Sequence, residues 1–265
     1  MKPFLRSSVL PILAATLLFA TVGQPQAQAQ ARPDGSAKPP ASASAKPPAS
    51  SSAKAPASGS ATAPAKPPAG ATSADAIAAR VQAFYDSTRT YQARFEQVYH
   101  IEAYNRKKRS VGTVAFQRPG RMSWLYDEPN GNVVVSDGET LKVYEKDKAQ
   151  VVEQPLGTTQ YPAVLAFLVG KGNLREMFNL QRLDEKRMNF EGGYVLEGTP
   201  KQATAAYTKV LMYIDAETAQ VRRMLVIDAQ RNRNLFTFTN PVVNTPLDPS
   251  TFSFTAPPGT QVVRP

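Results

Sequence analysis

The side chains able to do acid–base or nucleophilic chemistry are few, and their spacing does not assemble a reaction centre. His100 is the only histidine. It falls on the polar side of an alternating segment with no nucleophile motif beside it, which fits a structural or solvent-facing role better than catalysis. Asp127-Glu128, before Pro129, pairs two carboxylates by adjacency alone. Neighbours on a strand point to opposite faces, and turn residues account for both. Asp137-Gly138-Glu139 matches no calcium loop and reads as a hairpin turn. The chain has no cysteine, which excludes thiol catalysis, zinc–thiolate sites and iron–sulfur clusters. Glycine-rich phosphate loops and histidine–carboxylate clusters are missing too. The expectation is a protein that is not an enzyme, with no catalytic residue, no metal site and no cofactor.

One charge stands out because of its row. In Val111–Arg118 the even positions are Gly112, Val114, Phe116 and Arg118, so the guanidinium shares a face with two apolar side chains. Met122, Trp124 and Tyr126 alternate on a single face across the following turn. A buried Arg must be met by several acceptors or costs several kcal/mol. An Arg at the end of a strand snorkels outward and needs none. Spacing alone leaves both readings open.

The elements that position these residues follow from periodicity. Ser73 caps a first helix, Asp75 suits its positive end, and Ile77, Val81, Phe84 and Thr88 line one face. From Tyr91 to Ile101 the period changes to two, which marks a strand with one buried face containing Phe95. Further strands are predicted at Val111–Arg118, Arg121–Tyr126, Asn132–Ser136, Thr140–Tyr144 and Gln150–Gln154. A second set is predicted at Met188–Phe190, Tyr194–Glu197, Tyr207–Ile214, Val221–Asp228 and Asn234–Thr239. Asn130-Gly131, Asp137-Gly138 and Gly192-Gly193 supply turns. About eleven antiparallel strands result, and a sheet of that width curls under its own twist. Between Gly157 and Met177 the meander gives way to two short helices. The first carries Val164, Leu165, Leu168 and Val169 on its apolar side; Asn173 caps the second, around Leu174–Met177. Helices inserted there cover the mouth of the curl.

The ends of the chain set its expected location. Lys2 and Arg6, an apolar run from Val9 to Ala20 and Ala27-Gln28-Ala29 describe a cleavable signal peptide over residues 1–29. The run is short of the roughly 20 residues that span a bilayer. The mature chain is therefore expected to be exported and soluble. Without a cysteine to acylate, it is not itself a lipoprotein. Residues 30–73 repeat AKPPASAS-like octets from Ala37, rich in Pro, Ala and Ser and nearly free of large apolar residues; a disordered spacer is expected. Residues 74–265 form the folded domain. Residues 1–73 hold 7 of the 31 Lys+Arg and 1 of the 21 Asp+Glu, so most of the formal +10 charge lies outside that domain. Its mild basicity does not call for nucleic acid, and it fits acidic partners or anionic membrane surfaces equally well.

The order of motifs carries a resemblance. A helix is followed by Tyr91-x-x-x-Phe95-x-Gln97, then Phe116-Gln117-Arg118-Pro119-Gly120-Arg121-Met122-Ser123-Trp124, then Val135-Ser136-Asp137-Gly138-x-x-Leu141-x-x-Tyr144. The chain closes on Phe252-Ser253-Phe254-Thr255 before Pro257-Pro258-Gly259. In this order the residues resemble the LolA family of periplasmic lipoprotein carriers over nearly all of 74–265. The resemblance implies an unclosed antiparallel β-barrel with an α-helical lid and an apolar cavity, here lined by Phe95, Val114, Phe116, Met122, Trp124 and Tyr126. It implies that Arg118 latches the lid of the empty carrier, the lid helix being the one with Val164, Leu165, Leu168 and Val169. The implied cargo is the acyl chains of lipoproteins, taken from an inner-membrane LolCDE-type ABC transporter and passed to a LolB-like outer-membrane acceptor by a monomeric carrier. Met122 departs from the aromatic or large aliphatic residue expected at its position, a change an adaptable thioether absorbs. The same architecture also serves envelope sensors and carriers of other lipids, such as glycolipids.

Overall fold

The computed structural model describes residues 72–156 and 172–264. The predicted leader, nearly all of the 30–73 spacer and the first lid helix, with Val164, Leu165, Leu168 and Val169, lie outside the described residues.

The first element, α1 (Ala74–Ser87), starts as its sequence dictates: the Ser73 hydroxyl accepts from the Ala76 amide, and Asp75 sits in the first turn. Its buried face is Ile77, Ala78, Val81 and Tyr85. Tyr85 takes the place expected for Phe84, which is only partly buried. The Tyr85 hydroxyl accepts a hydrogen bond from the Val221 amide at 3.2 Å, a polar anchor that phenylalanine lacks.

Among the described residues twelve strands follow: β1 (Thr90–Ile101), β2 (Arg106–Gln117), β3 (Arg121–Tyr126), β4 (Val133–Asp137), β5 (Thr140–Glu145), β6 (Gln150–Pro155), β7 (Phe178–Leu183), β8 (Gly193–Pro200), β9 (Lys209–Asp215), β10 (Val221–Ile227), β11 (Arg233–Val243) and β12 (Gln261–Val263). A one-turn helix, α2 (Leu174–Met177), precedes β7. All lie in one sheet ordered β12-β6-β5-β4-β3-β2-β1-β11-β10-β9-β8-β7. Two antiparallel meanders, β1–β6 and β7–β11, join where β1 pairs with β11. The edges β7 and β12 do not pair with each other, so the barrel is unclosed.

Several strands differ from expectation. Met188–Phe190 is a turn: the Met188 and Phe190 amides donate to the carbonyls of Asp184 and Glu185. The strand of that region is β7, an edge whose polar Asn179, Gln181 and Arg182 masked its alternation. β12 adds a twelfth strand, parallel to β6 rather than antiparallel. The hairpin at Asp137-Gly138 is as predicted, with the Asp137 carboxylate accepting from the Glu139 and Thr140 amides at 2.9 and 2.8 Å. Asn173 caps α2 as predicted, its side-chain oxygen accepting from the Arg175 amide.

Both faces of the sheet are covered in places. On the outer face, Val195, Leu211 and Tyr213 are buried beneath the 184–190 turn, where Phe190 meets Tyr213 edge to face. Phe252 is buried in the C-terminal segment, which packs against β3 and β4, and Phe254 stacks on Tyr144. The inner face holds the main core, shared with α1 and α2.

Candidate lipid-binding face

Register turns the alternating residues into continuous rows across the inner face. One row runs Phe238, Phe95, Gly112, Tyr126 through β11, β1, β2 and β3. The next runs Ala93, Val114, Trp124, Val134, Val143, Val152 through β1 to β6. A third joins Tyr91, Phe116, Met122, Ser136 and Leu141. Gly112 has a steric reason: a Cβ there would lie 2.7 Å from the Phe95 ring, so the strand leaves room for that ring to lie across it.

At the centre is Trp124, fully buried, with the rings of Phe95, Phe236, Phe116 and Phe238 at centroid distances of 5.0, 5.4, 5.9 and 6.2 Å. Tyr126 meets Phe95 edge to face at 5.1 Å. Burial pushes the Tyr126 and Tyr91 phenols up from their ordinary value, since an apolar face disfavours the charged phenolate. The Trp124 indole N–H is buried and has no hydrogen-bond acceptor among the described residues, which costs about 1–3 kcal/mol. Every residue expected to line the cavity therefore shares this face: Phe95, Val114, Phe116, Met122 and Trp124 are fully buried, and Tyr126 is partly so. The expectation missed Phe236 and Phe238. Their signal was available, since they alternate with Leu235, Thr237 and Thr239 along β11.

Towards the β1–β2 turn the face becomes polar. Gln97 donates to the buried Asn234 side chain at 2.9 Å. A pocket of about 40 Å³ opens there between Gln97, Tyr99, Ser110, Tyr126, Val134 and Val143. It has room for water-sized molecules. Drug-sized ligands need about 300–1,000 Å³, more than this pocket holds.

Arg118 lies just past the end of β2 with 22% of its side chain exposed, neither sealed in nor free in solvent. Its guanidinium pairs with Asp86, in the last turn of α1, at 3.1 Å. Its amide donates to the Arg89 carbonyl at 2.9 Å, so the start of the β2–β3 turn is tied to the chain leaving α1. The lid segment expected to meet it lies outside the described residues. One turn earlier on the same face of α1, Gln82 donates to the Asp86 carboxylate at 3.0 Å and accepts from the Leu174 amide at 3.1 Å, so the helix, Arg118 and α2 are joined through one chain of hydrogen bonds.

The other polar residues that the sequence singles out pair with near neighbours. The His100 ring meets the Asn105 side chain at 3.1 Å within the β1–β2 turn. Asp127 pairs with Arg94, which holds its carboxyl below the usual carboxylate range, whereas the adjacent Glu128 pairs with Lys146. The two carboxylates serve separate cations. Among the described residues no helix is long and apolar enough to cross a membrane.

Known proteins share this sequence pattern. Residues 86–255 match the family model described as outer membrane lipoprotein carrier protein LolA. A protein of Nitrosomonas europaea named outer-membrane lipoprotein carrier protein is 30% identical, over 69% of this chain and 87% of its own length. One of the same name from Cupriavidus necator is 32% identical, over 58% of this chain and 71% of its own length. Among solved structures, a LolA superfamily protein from Nitrosomonas europaea aligns with 69% of this chain and 99% of its own at 15% identity and a TM-score of 0.40. With more than half of its residues matched by the family model, and a 30%-identical relative covered over most of its length, the chain belongs to the LolA family.

Proposed function

We propose that the protein is a periplasmic carrier whose inner face receives the acyl chains of lipoproteins and moves them from the inner to the outer membrane. Residues 74–265 are the carrier domain, residues 1–29 its cleaved leader and residues 30–73 a spacer. The observation that carries the reading is the apolar, largely aromatic inner face around Trp124, whose indole N–H has no acceptor among the described residues. Relatives at 30–32% identity are named outer-membrane lipoprotein carrier proteins, which supports the cargo class.

The energetics fit transport rather than storage. Each buried methylene is worth about 0.8 kcal/mol, so a multiply acylated protein cannot leave a bilayer through water unaided. Transfer from bilayer to an apolar face nearly conserves that term. Loading is then driven by an inner-membrane ABC transporter of the LolCDE type, and unloading is set by a LolB-like outer-membrane acceptor with a slightly better pocket. Bound acyl chains lie against the rings around Trp124, and an ester carbonyl accepts from the Trp124 N–H. Arg118 biases the empty, closed form through charge-assisted hydrogen bonds worth about 1.5–3 kcal/mol each.

Native mass spectrometry of protein purified from periplasm tests this reading. Co-purified acylated polypeptides are expected; free phospholipid or glycolipid alone as the bound species contradicts the lipoprotein assignment.

A further inference from the structure

The fold places strong positive charge at one end of the sheet, which the carrier reading does not use. The β1–β2 turn, residues 102–105, carries Tyr104, 72% exposed and the most exposed large hydrophobic side chain among the described residues. Directly after it come Arg106, Lys107 and Lys108, all exposed and without an acidic partner among the described residues. Arg231, exposed and equally without one, sits in the neighbouring β10–β11 turn. Arg233 adds a cation whose one acidic partner among the described residues, Glu102, is 3.4 Å away.

The two turns are braced into one tip. The Glu102 amide donates to the Asn232 side chain at 3.0 Å, and Asn232 is held by the buried Asp228 carboxylate, to which its side chain donates at 2.8 Å. Because successive residues of β2 point to opposite faces, the cations ring the tip instead of forming a patch on one side. A tip ringed by charge meets a plane of opposite charge from any rotation about its axis. Tyrosine, apolar in body and polar at its end, is the side chain that settles at a membrane–water interface.

We propose that this tip docks the protein, end-on, to an anionic phospholipid surface, with Tyr104 entering the headgroup layer and Arg106, Lys107, Lys108 and Arg231 facing lipid phosphates. The pocket at Gln97 and Tyr99 opens at the same end of the sheet, so docking turns the polar mouth of the inner face towards the bilayer.

Co-sedimentation of the mature protein with vesicles of phosphatidylglycerol and phosphatidylethanolamine, against vesicles of phosphatidylcholine alone, tests the proposal. Binding is expected to the anionic vesicles only, and to fade as NaCl rises from about 50 to 500 mM and the Debye length shrinks. The triple variant Arg106→Gln/Lys107→Gln/Lys108→Gln should lose about fivefold in partitioning per charge, on the order of 100-fold in all. Arg231→Gln, on the separate turn, should lose about fivefold by itself, which keeps the test decisive if circular dichroism shows the triple variant misfolded. Lys186→Gln/Arg187→Gln, at the opposite end of the sheet, should bind as the parent does. Equal binding to both vesicle types, undiminished binding by Arg231→Gln and a folded triple variant, or an equal loss in the opposite-end variant overturns the assignment.

Discussion

Removing the central ring of the inner face is the perturbation whose size the structure fixes best. Trp124 is fully buried and touches four aromatic rings. An aromatic side chain buries about 150–250 Å², worth about 4–6 kcal/mol at about 25 cal/mol per Å². Trp124→Ala also relieves the indole N–H of its missing acceptor, which returns about 1 kcal/mol. The surrounding rings relax partly into the gap. The expected loss is therefore about 4 kcal/mol, inside the range of about 3–5 kcal/mol for deletion of a buried Phe or Trp. Domains of this kind are stable by about 5–15 kcal/mol, so the variant folds but with little reserve. Urea unfolding followed by far-ultraviolet circular dichroism measures it, since the chain has a single tryptophan and the variant none. With a slope of about 2 kcal/mol per molar, the midpoint falls by about 2 M. The control is the next residue, on the other face: Leu125 is 42% exposed, and Leu125→Ala should cost less than about 1 kcal/mol. Comparable losses in the two variants, or a loss below about 1 kcal/mol in Trp124→Ala, would refute the assignment of Trp124 to a packed inner face.

Three further outcomes follow from particular contacts. Arg118→Leu is expected to leave the fold intact at a cost of about 1.5–3 kcal/mol, at most about 1 kcal/mol of it from the pair with Asp86, which is 53% exposed; acyl-chain release should slow by about 10-fold or more as the closed form loses its bias, and release at the parent rate removes the latch. Gln97→Leu strips the buried Asn234 oxygen of its donor and should cost about 1–3 kcal/mol, most of which Gln97→Leu/Asn234→Leu recovers; a double variant weaker than either single one in urea contradicts that pairing. The amides of Thr140 and Glu139 hold the Asp137 carboxyl below its usual value. Its contribution to stability is therefore complete above the unfolded value and lost as pH falls through the folded one. Urea midpoints measured between about pH 6 and 3 should fall less steeply for Asp137→Asn than for the parent, and identical slopes would show that the hairpin carboxylate is not linked to folding.

Period-two alternation in β1, β2, β3 and β11 was enough to name the buried face, because a strand with one apolar side has only one way to lie on a core. The glycine-marked turns and the Ser73 and Asn173 caps were legible for the same local reason. What the sequence hid was non-local. β7 is an edge strand with mostly polar residues, and only its pairing with β8 makes it a strand. Met188 and Phe190 pack on the outer face from a turn, so their apolar character imitates a strand. β12 is three residues long and exists through its parallel partner β6. Arg118 could not be decided from spacing, because whether an arginine at a strand end is bound depends on Asp86, 32 residues earlier. Phe236 and Phe238 were readable by parity, but their meeting with Trp124 required the β1–β11 pairing between the two meanders.

Trp124, as the chain's only tryptophan, reports on the inner face without labelling. Its fluorescence should be measured while the mature protein is loaded with an acylated lipopeptide whose chains carry bromine, with an unbrominated lipopeptide as the reference. Bromine quenches only on near contact, so strong quenching by the brominated cargo alone is the result expected if acyl chains part the aromatic cluster and lie against Trp124. Tight binding of the brominated lipopeptide with Trp124 emission unchanged would place the lipid elsewhere.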